Sequence, residues 1–123
     1  MYTPPHHAMN DLREQHALIE TYPFAVLVTG DPGAFAATHV PFTLRASEGA
    51  LGTLHAHVAM PNPHAMADGQ DALVIFSGPN GYVSPSWYAE RASNVPTWNY
   101  VAVHCHGRLA LCGHEGEIGR AHV

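Results

Sequence analysis

The apolar pattern near the start of the chain is that of a helix. Leu12, His16 and Ile19 recur at helical intervals, Asp11 precedes them as a candidate N-cap, and Pro23 follows them. Because proline cannot continue a helix, this spacing predicts a short amphipathic helix that stops before Pro23.

Three β-strands are predicted next. The predicted strands cover residues 24–29, 35–44 and 51–58, with turns at 31–33 and 47–49. Side chains alternate along a strand, so Thr38, Val40 and Phe42 share one face of the second strand. His39 and Pro41 share the other face. Pro41 cannot donate to a sheet ladder, and it therefore indicates an edge strand or a bulge.

The second half of the chain predicts a short helix followed by further strands. Asn62 and Pro63 have the N-cap and first-turn pattern of a helix, which Gly69 ends. Residues 72–76 are a continuous apolar run, 78–81 have turn chemistry, and 97–111 are long enough for one bent strand. Several strands without regular strand–helix alternation predict a mainly β fold, a small closed β-barrel with short helices.

Residues 81–100 concentrate the unusual side chains of the sequence. They hold both tryptophans and three of the five tyrosines. Hydroxyl and amide groups alternate there with aromatic rings: Ser84, Ser86, Thr97 and Asn99 with Trp87, Tyr88, Trp98 and Tyr100. This mixture suits a planar ligand with polar edges, since rings cover a face and short polar groups fix an edge. The alternative is that these aromatic residues belong to the core.

Composition limits the classes of function. The 123 residues fit one domain, and the formal net charge is -5 with five arginines and no lysine. This charge disfavours direct nucleic-acid binding, and the lack of lysine excludes lysine-based covalent chemistry. The first residues show neither a signal peptide nor a membrane span, so we expect a cytoplasmic protein. Cys105 and Cys112 are expected to be free thiols.

The last residues, EIGRAHV, have a separate interpretation. They can be encoded by gag atc gga aga gca cac gtc, which matches the start of a common sequencing adapter. We therefore expect residues 117–123 to be a non-native tail. The domain would then cover residues 1–116, and the natural chain would continue past about Gly116.

Histidine spacing raises the possibility of a metal site. Gly49 followed by His55 and His57 matches the opening of a cupin metal motif, because an H-x-H pair on a strand points both rings to one face. The pattern then fails at Met60, where no glutamate follows, and at Ser84, where histidine is expected. A metal-binding β-barrel is kept as a third alternative, and no metal ligands are assigned.

Several segments resemble the PaiB family of FMN-binding negative transcriptional regulators. The resemblance rests on MYTP, ATHVPF, LGTLHAHVA with NP, GYVSPSWY and VPTWNYVAVH. It runs from Met1 to about Leu111. It implies the split-barrel fold of flavin reductases and pyridoxamine-phosphate oxidases, with FMN bound between the subunits of a homodimer. Family members carry a further C-terminal segment.

The resemblance also implies site residues for FMN. The hydrogen-bonding candidates are Thr38, His39, Ser84, Ser86, Thr97 and Asn99, and the apolar wall consists of Trp87, Tyr88 and Trp98. His57 and Asn62 would close the site, and Arg91 or Arg108 would meet the phosphate. No side chain is assigned to acid–base catalysis. The predicted function is FMN-dependent regulation, with a flavin-dependent oxidoreductase as the alternative.

Overall fold

The computed structural model describes residues 1–90, 95–112 and the backbone of 119–122. The helix α1 spans Leu12–Thr21. The strands are β1 Phe24–Thr29, β2 Ala36–Pro41, β3 Thr43–Arg45, β4 Thr53–Ala56, β5 Asp71–Val83, β6 Thr97–Ala110 and β7 Gly119–His122. Three short 3₁₀ helices cover Pro5–His7, Pro63–Met66 and Pro85–Trp87. The predicted mainly β class is confirmed.

The helix α1 forms where the sequence predicts it. The Asp11 side chain accepts a 2.9 Å hydrogen bond from the Arg13 backbone N–H, which satisfies one of the free donors of the first turn. The helix buries Leu18 and Ile19 in the core and ends before Pro23. Within the described ranges, no helix has the length and hydropathy needed to cross a membrane.

The strands form one antiparallel sheet that curls into a barrel. Their order is β2-β1-β5-β6-β7-β4-β3, so β2 and β3 are the two outermost strands. These two strands are also consecutive in the chain and are joined at Phe42, whose N–H donates to the Pro23 carbonyl at 2.9 Å. A sheet whose two edges are joined by one residue must curl until those edges meet. The result is the split barrel that the family resemblance implies.

The core fills the inside of this barrel. Leu54, Val74 and Phe76 are fully buried, and the Phe76 ring meets the Phe42 ring edge-on with centroids 5.7 Å apart. Such edge-to-face pairs add to the free energy gained by burying the rings. Phe42 therefore closes the barrel through its backbone and packs the core through its side chain.

The predicted turn at residues 78–81 is wrong. The strand β5 continues through it to Val83, and the register with β6 shifts between Ser77 and Asn80. Pro79 lacks a ladder donor, and a Cβ added to Gly78 would lie 3.3 Å from Leu18 Cδ1. Glycine and proline therefore produce a bulge under α1, and the strand does not reverse.

The other predicted strands differ in their limits. The run 35–44 is divided at Phe42 into β2 and β3, because the chain changes from β1 to β4 as its partner. As predicted from Pro41, β2 is an edge strand. The third strand is shorter than predicted, at Thr53–Ala56, whereas the long strand β6 is confirmed. The strand β7 falls within segment 117–123, whose non-native origin stays a prediction.

Two glycines in the turn after β1 give a test of this backbone. Gly30 has φ +114°, and a Cβ there would lie 2.4 Å from the Ala34 carbonyl oxygen. Gly33 has φ +84° and no neighbouring atom within 4 Å of its Cβ position. We expect Gly30→Ala to lower the free energy of unfolding by more than about 2 kcal/mol, and Gly33→Ala by about 1 kcal/mol. Equal losses in urea unfolding would contradict the steric part of this argument.

Candidate functional site

The two aromatic segments lie side by side at one end of the β5–β6 ladder. Tyr82 faces Trp98 and Val83 faces Thr97 in the register of the strands. The Tyr82 and Trp98 rings are tilted, with centroids 5.7 Å apart. The 3₁₀ helix Pro85–Trp87 follows β5 almost directly. We call this region the aromatic end; it comprises Tyr82, Ser84, Ser86, Trp87, Tyr88, Thr97, Trp98, Asn99 and Tyr100.

Two serine hydroxyls are held together in this region. Ser84 is the N-cap of Pro85–Trp87, and its Oγ accepts from the Ser86 backbone N–H at 3.3 Å. The two Oγ atoms lie 2.8 Å apart, so one hydroxyl donates to the other. One O–H of the pair is left to donate elsewhere. The pair can therefore offer a donor to a polar ligand edge.

The aromatic rings are largely exposed to solvent. Trp87 is 70% exposed, Trp98 is 61% exposed and Tyr100 is 60% exposed. The interpretation of this segment as core is therefore wrong for the single chain. Large exposed apolar groups that lie together mark binding surfaces.

A groove runs along β6 beside the aromatic end. Its volume is about 840 Å³, and it lies between the N-terminal segment, α1 and β6. The N-terminal segment is held in place by the Gln15 Nε2 group, which donates to the Met9 carbonyl at 2.7 Å. The Tyr100 hydroxyl reaches Met1 Sδ at 3.8 Å. The groove is lined in part by Thr97, Trp98 and Asn99.

A second group of candidate residues lies where the short helix Pro63–Met66 meets β2. The Asn62 Nδ2 group donates to Thr38 Oγ1 at 3.0 Å, and Thr38 Oγ1 lies 2.8 Å from His64 Nδ1. Asn62 Oδ1 also accepts from the His64 backbone N–H at 2.9 Å, as the N-cap of Pro63–Met66. We call Thr38, Asn62 and His64 the polar network. It ties the short helix to the edge strand.

His64 is the buried member of the polar network. Its side chain is 1% exposed, and its Nε2 atom has no hydrogen-bond partner in the described part of the chain. Burial lowers the pKa of His64, and the nearby backbone of Ala36 opposes that shift in part. His64 is therefore held as the neutral imidazole.

The remaining predicted residues lie apart from both groups. The His39 ring stacks near Phe24 on the face of β2 opposite the core, with centroids 6.2 Å apart. His57 is exposed just after β4. Arg108 is exposed and faces Asp71 in the ladder, and Arg91 lies outside the described residues.

The aromatic end and the polar network are far apart within one chain. From β2 to β6, Thr38 pairs with Leu27, Leu27 with Val74, and Val74 with Cys105, so these residues lie at the same height in the sheet. Trp98 lies seven residues from Cys105 along β6, which corresponds to a strand length of about 23 Å. Within one chain the two groups therefore lie at different levels of the barrel.

One of the two histidines considered for a metal site, His55, has another partner. His55 Nε2 donates to Glu48 Oε2 at 2.9 Å, and Glu48 also contacts Arg45 at 3.3 Å. The hydrogen bond from His55 is the main cause that lowers the pKa of Glu48. Among the described residues, no three His, Cys, Asp or Glu side chains converge as metal ligands.

Sequence reasoning missed His64. A histidine two residues after an N-cap asparagine is ordinary helix sequence, and nothing local shows that its ring is buried. The available signal was the inward position of Thr38 on β2, because an inward hydroxyl requires a hydrogen-bond partner.

Comparison with known proteins identifies the family. A family described as "Putative FMN-binding domain" matches residues 1–122. The chain belongs to this family. Its resemblance to PaiB proteins, predicted from the aromatic segments, is confirmed by 34% identity over 113 residues to the protease synthase and sporulation protein PAI 2 of Bacillus subtilis.

Two curated relatives are longer than this chain. The Bacillus subtilis protein is matched over 90% of this chain and 53% of its own length. An uncharacterized protein of Aspergillus fumigatus is 27% identical over an alignment of 154 positions, gaps included, which covers 95% of this chain and 59% of the relative. The chain thus spans a little over half the length of these relatives.

The burial of His64 predicts a dependence of stability on pH. The unfolded chain gains a proton on His64 below about pH 6.5, whereas the folded chain resists it. The free energy of unfolding should therefore fall as pH decreases from about 6.5 to 5. Urea unfolding of the parental protein and of His64→Asn measures this. The difference between their free energies of unfolding should shrink as the pH falls over that range.

The control for this experiment is His57→Asn, which removes an exposed histidine. This variant should keep the parental dependence on pH. An identical dependence in the parental protein and His64→Asn would contradict the assignment of His64 as a buried neutral base.

Proposed function

We propose that this chain is the FMN-binding part of a PaiB-type regulator and that the flavin lies against the aromatic end. The observation that carries this proposal is the exposure of Trp87 and Trp98, at 70% and 61%, next to hydroxyl and amide groups. Membership of the family described as "Putative FMN-binding domain" supports FMN as the ligand of that surface.

The aromatic end suits the flavin ring system in its chemistry. Trp98 and Trp87 offer broad apolar faces for stacking, and the paired hydroxyls of Ser84 and Ser86 offer a donor. Asn99 offers both a donor and an acceptor for the pyrimidine edge. FMN, when bound, supplies reversible electron transfer. The protein supplies binding, orientation and exclusion of water.

The phosphate group of FMN needs a cationic side chain near it when the flavin ring lies on the aromatic end. Arg108 is ten residues from Trp98 on β6, which is about 33 Å of strand. That length exceeds FMN, so Arg108 could serve only a flavin bound elsewhere or by a second subunit. Arg91, four residues after Trp87 in sequence, is the candidate for a flavin on the aromatic end of the same chain.

A homodimer would bring the two separated groups of candidate residues into one pocket. In this proposal, the polar network of one subunit lies against the aromatic end of the other. Apolar side chains on the outer face of the sheet support a protein interface there. Val26 pairs with Ile75 and Val28 with Leu73, and all four are only half-buried in the single chain.

A regulatory role is proposed to be indirect. The net charge of -5 and the lack of lysine disfavour direct contact with nucleic-acid phosphates. A flavin-bound chain would instead act through a partner protein, or through a segment like the one that the longer relatives have beyond the matched region. We also propose a cytoplasmic location, supported by two free cysteines, of which buried Cys105 has a pKa raised to about 11.

The groove beside Trp98 favours a second candidate, a flavin-dependent oxidoreductase. Its volume of about 840 Å³ gives a second planar molecule access to a flavin stacked on Trp98. Reduction of bound FMN by NADH or NADPH, followed by transfer to an acceptor, would distinguish this activity from binding alone.

Flavin titration tests the proposed ligand. The parental protein should quench FMN fluorescence and remain yellow after gel filtration. Trp98→Ala and Asn99→Ala should each lose roughly ten- to a hundred-fold in affinity for FMN. Each removes one contact that the bound flavin would bury, worth about 1–3 kcal/mol. Phe35→Ala is the matched control, since it removes an exposed ring distant in sequence. Parental affinity in both folded site variants would overturn the assignment.

Mixing two variants that each bind FMN weakly tests the shared site. Trp98→Ala and Asn62→Ala damage different halves of the proposed pocket. A random mixture of dimers should restore FMN binding in about a quarter of the sites, because half of the dimers are mixed and each has one intact pocket. Sedimentation should show a dimer. Binding that stays at the level of the separate variants would contradict a shared pocket.

A further inference from the structure

The orientation of the Asn62 amide follows from one backbone hydrogen bond. The His64 backbone N–H can only donate, and it lies 2.9 Å from Asn62 Oδ1. That side of the amide is therefore the carbonyl oxygen. The Nδ2 group must then face Thr38, where it donates to Oγ1 at 3.0 Å.

The position of the proton on His64 depends on the direction of its hydrogen bond with Thr38. Thr38 Oγ1 accepts from Asn62, and its own O–H has two possible acceptors. His64 Nδ1 lies at 2.8 Å, whereas Asn62 Oδ1 lies at 3.3 Å and already accepts from the backbone. A 2.8 Å contact fits either direction, so Nδ1 either accepts this proton or donates its own. The first arrangement gives the Thr38 hydroxyl its nearer acceptor, and His64 then carries its proton on Nε2.

We propose that His64 is a positioning residue for FMN, which acts through Thr38 to fix the Asn62 amide toward the bound ligand. This proposal rests on the proposed FMN-binding function. No contact between His64 and the flavin is required, since His64 is buried.

The polar network leaves one directed donor for a ligand. Asn62 has two N–H groups, of which one bonds to Thr38. The other has no partner in the described part of the chain, and Asn62 is only half-buried. Its ligand partner must be an acceptor atom of FMN, an oxygen of the phosphate, the ribityl chain or a ring carbonyl, or an unprotonated ring nitrogen. Fixing the donor before binding reduces the entropy lost on binding.

Substitutions that alter one hydrogen bond at a time test this role. His64→Leu removes the acceptor for the Thr38 hydroxyl, and Thr38→Val removes that hydroxyl with little change of shape. Each should weaken FMN binding roughly ten-fold. His64→Asn places an amide oxygen near the position of Nδ1, so it should stay within about three-fold of the parental affinity.

The double variant separates positioning from general packing. If His64 acts through Thr38, the pair His64→Leu and Thr38→Val should bind FMN about as well as either single variant. Multiplied losses would overturn the proposal, and so would parental affinity in folded His64→Leu. Circular dichroism confirms folding, and His64→Asn serves as the conservative control.

Nitrogen NMR of labelled histidine gives a readout that does not depend on FMN. The His64 ring should show a protonated Nε2 and an unprotonated Nδ1 at neutral pH. A proton on Nδ1 would overturn the assigned hydrogen-bond direction. Failure of the parental protein to bind FMN would overturn the proposed function and the ligand part of this proposal, whereas loss of binding confined to Trp98→Ala would overturn the role of His64 alone.

Discussion

The long β5–β6 ladder is the interaction on which the rest of this structure depends. It pairs Asp71–Val83 with Thr97–Ala110 and forms the centre of the sheet. One part of it contributes the buried Val74, Phe76 and Val103 to the core. The other part extends beyond the bulge and carries the aromatic end. The same hydrogen bonds thus stabilise the barrel and hold the proposed flavin surface in place.

Much of the fold could be predicted from local sequence, because the controlling signals are local. The N-cap at Asp11, the stop at Pro23 and the length of β6 all follow from neighbouring residues. The bulge at Gly78 could not be predicted, since glycine and proline also form turns. What distinguishes the two is the packing of Leu18 above Gly78, a contact between residues distant in sequence.

The candidate site was predictable in its aromatic half and less so in its polar half. The pairing of Trp98 with Tyr82 brings together segments already singled out for their composition. Thr38 and Asn62 were chosen as ligand contacts, but the structure shows that they also bond to each other. Their link through His64 depends on how the short helix packs on β2, which no sequence spacing reveals.

The corner at Phe42 has a mechanical consequence. The strands β2 and β3 follow one another but belong to opposite edges of the sheet, so the wall of the barrel has a seam there. Opening this seam breaks few strand-to-strand hydrogen bonds, whereas separating β5 from β6 breaks a long row of them. Local opening concentrates where such bonds are few. The barrel is therefore compliant at this seam and stiff beneath Trp98, so that the edge carrying the fixed Asn62 amide can shift as a whole toward a ligand that the aromatic end holds still.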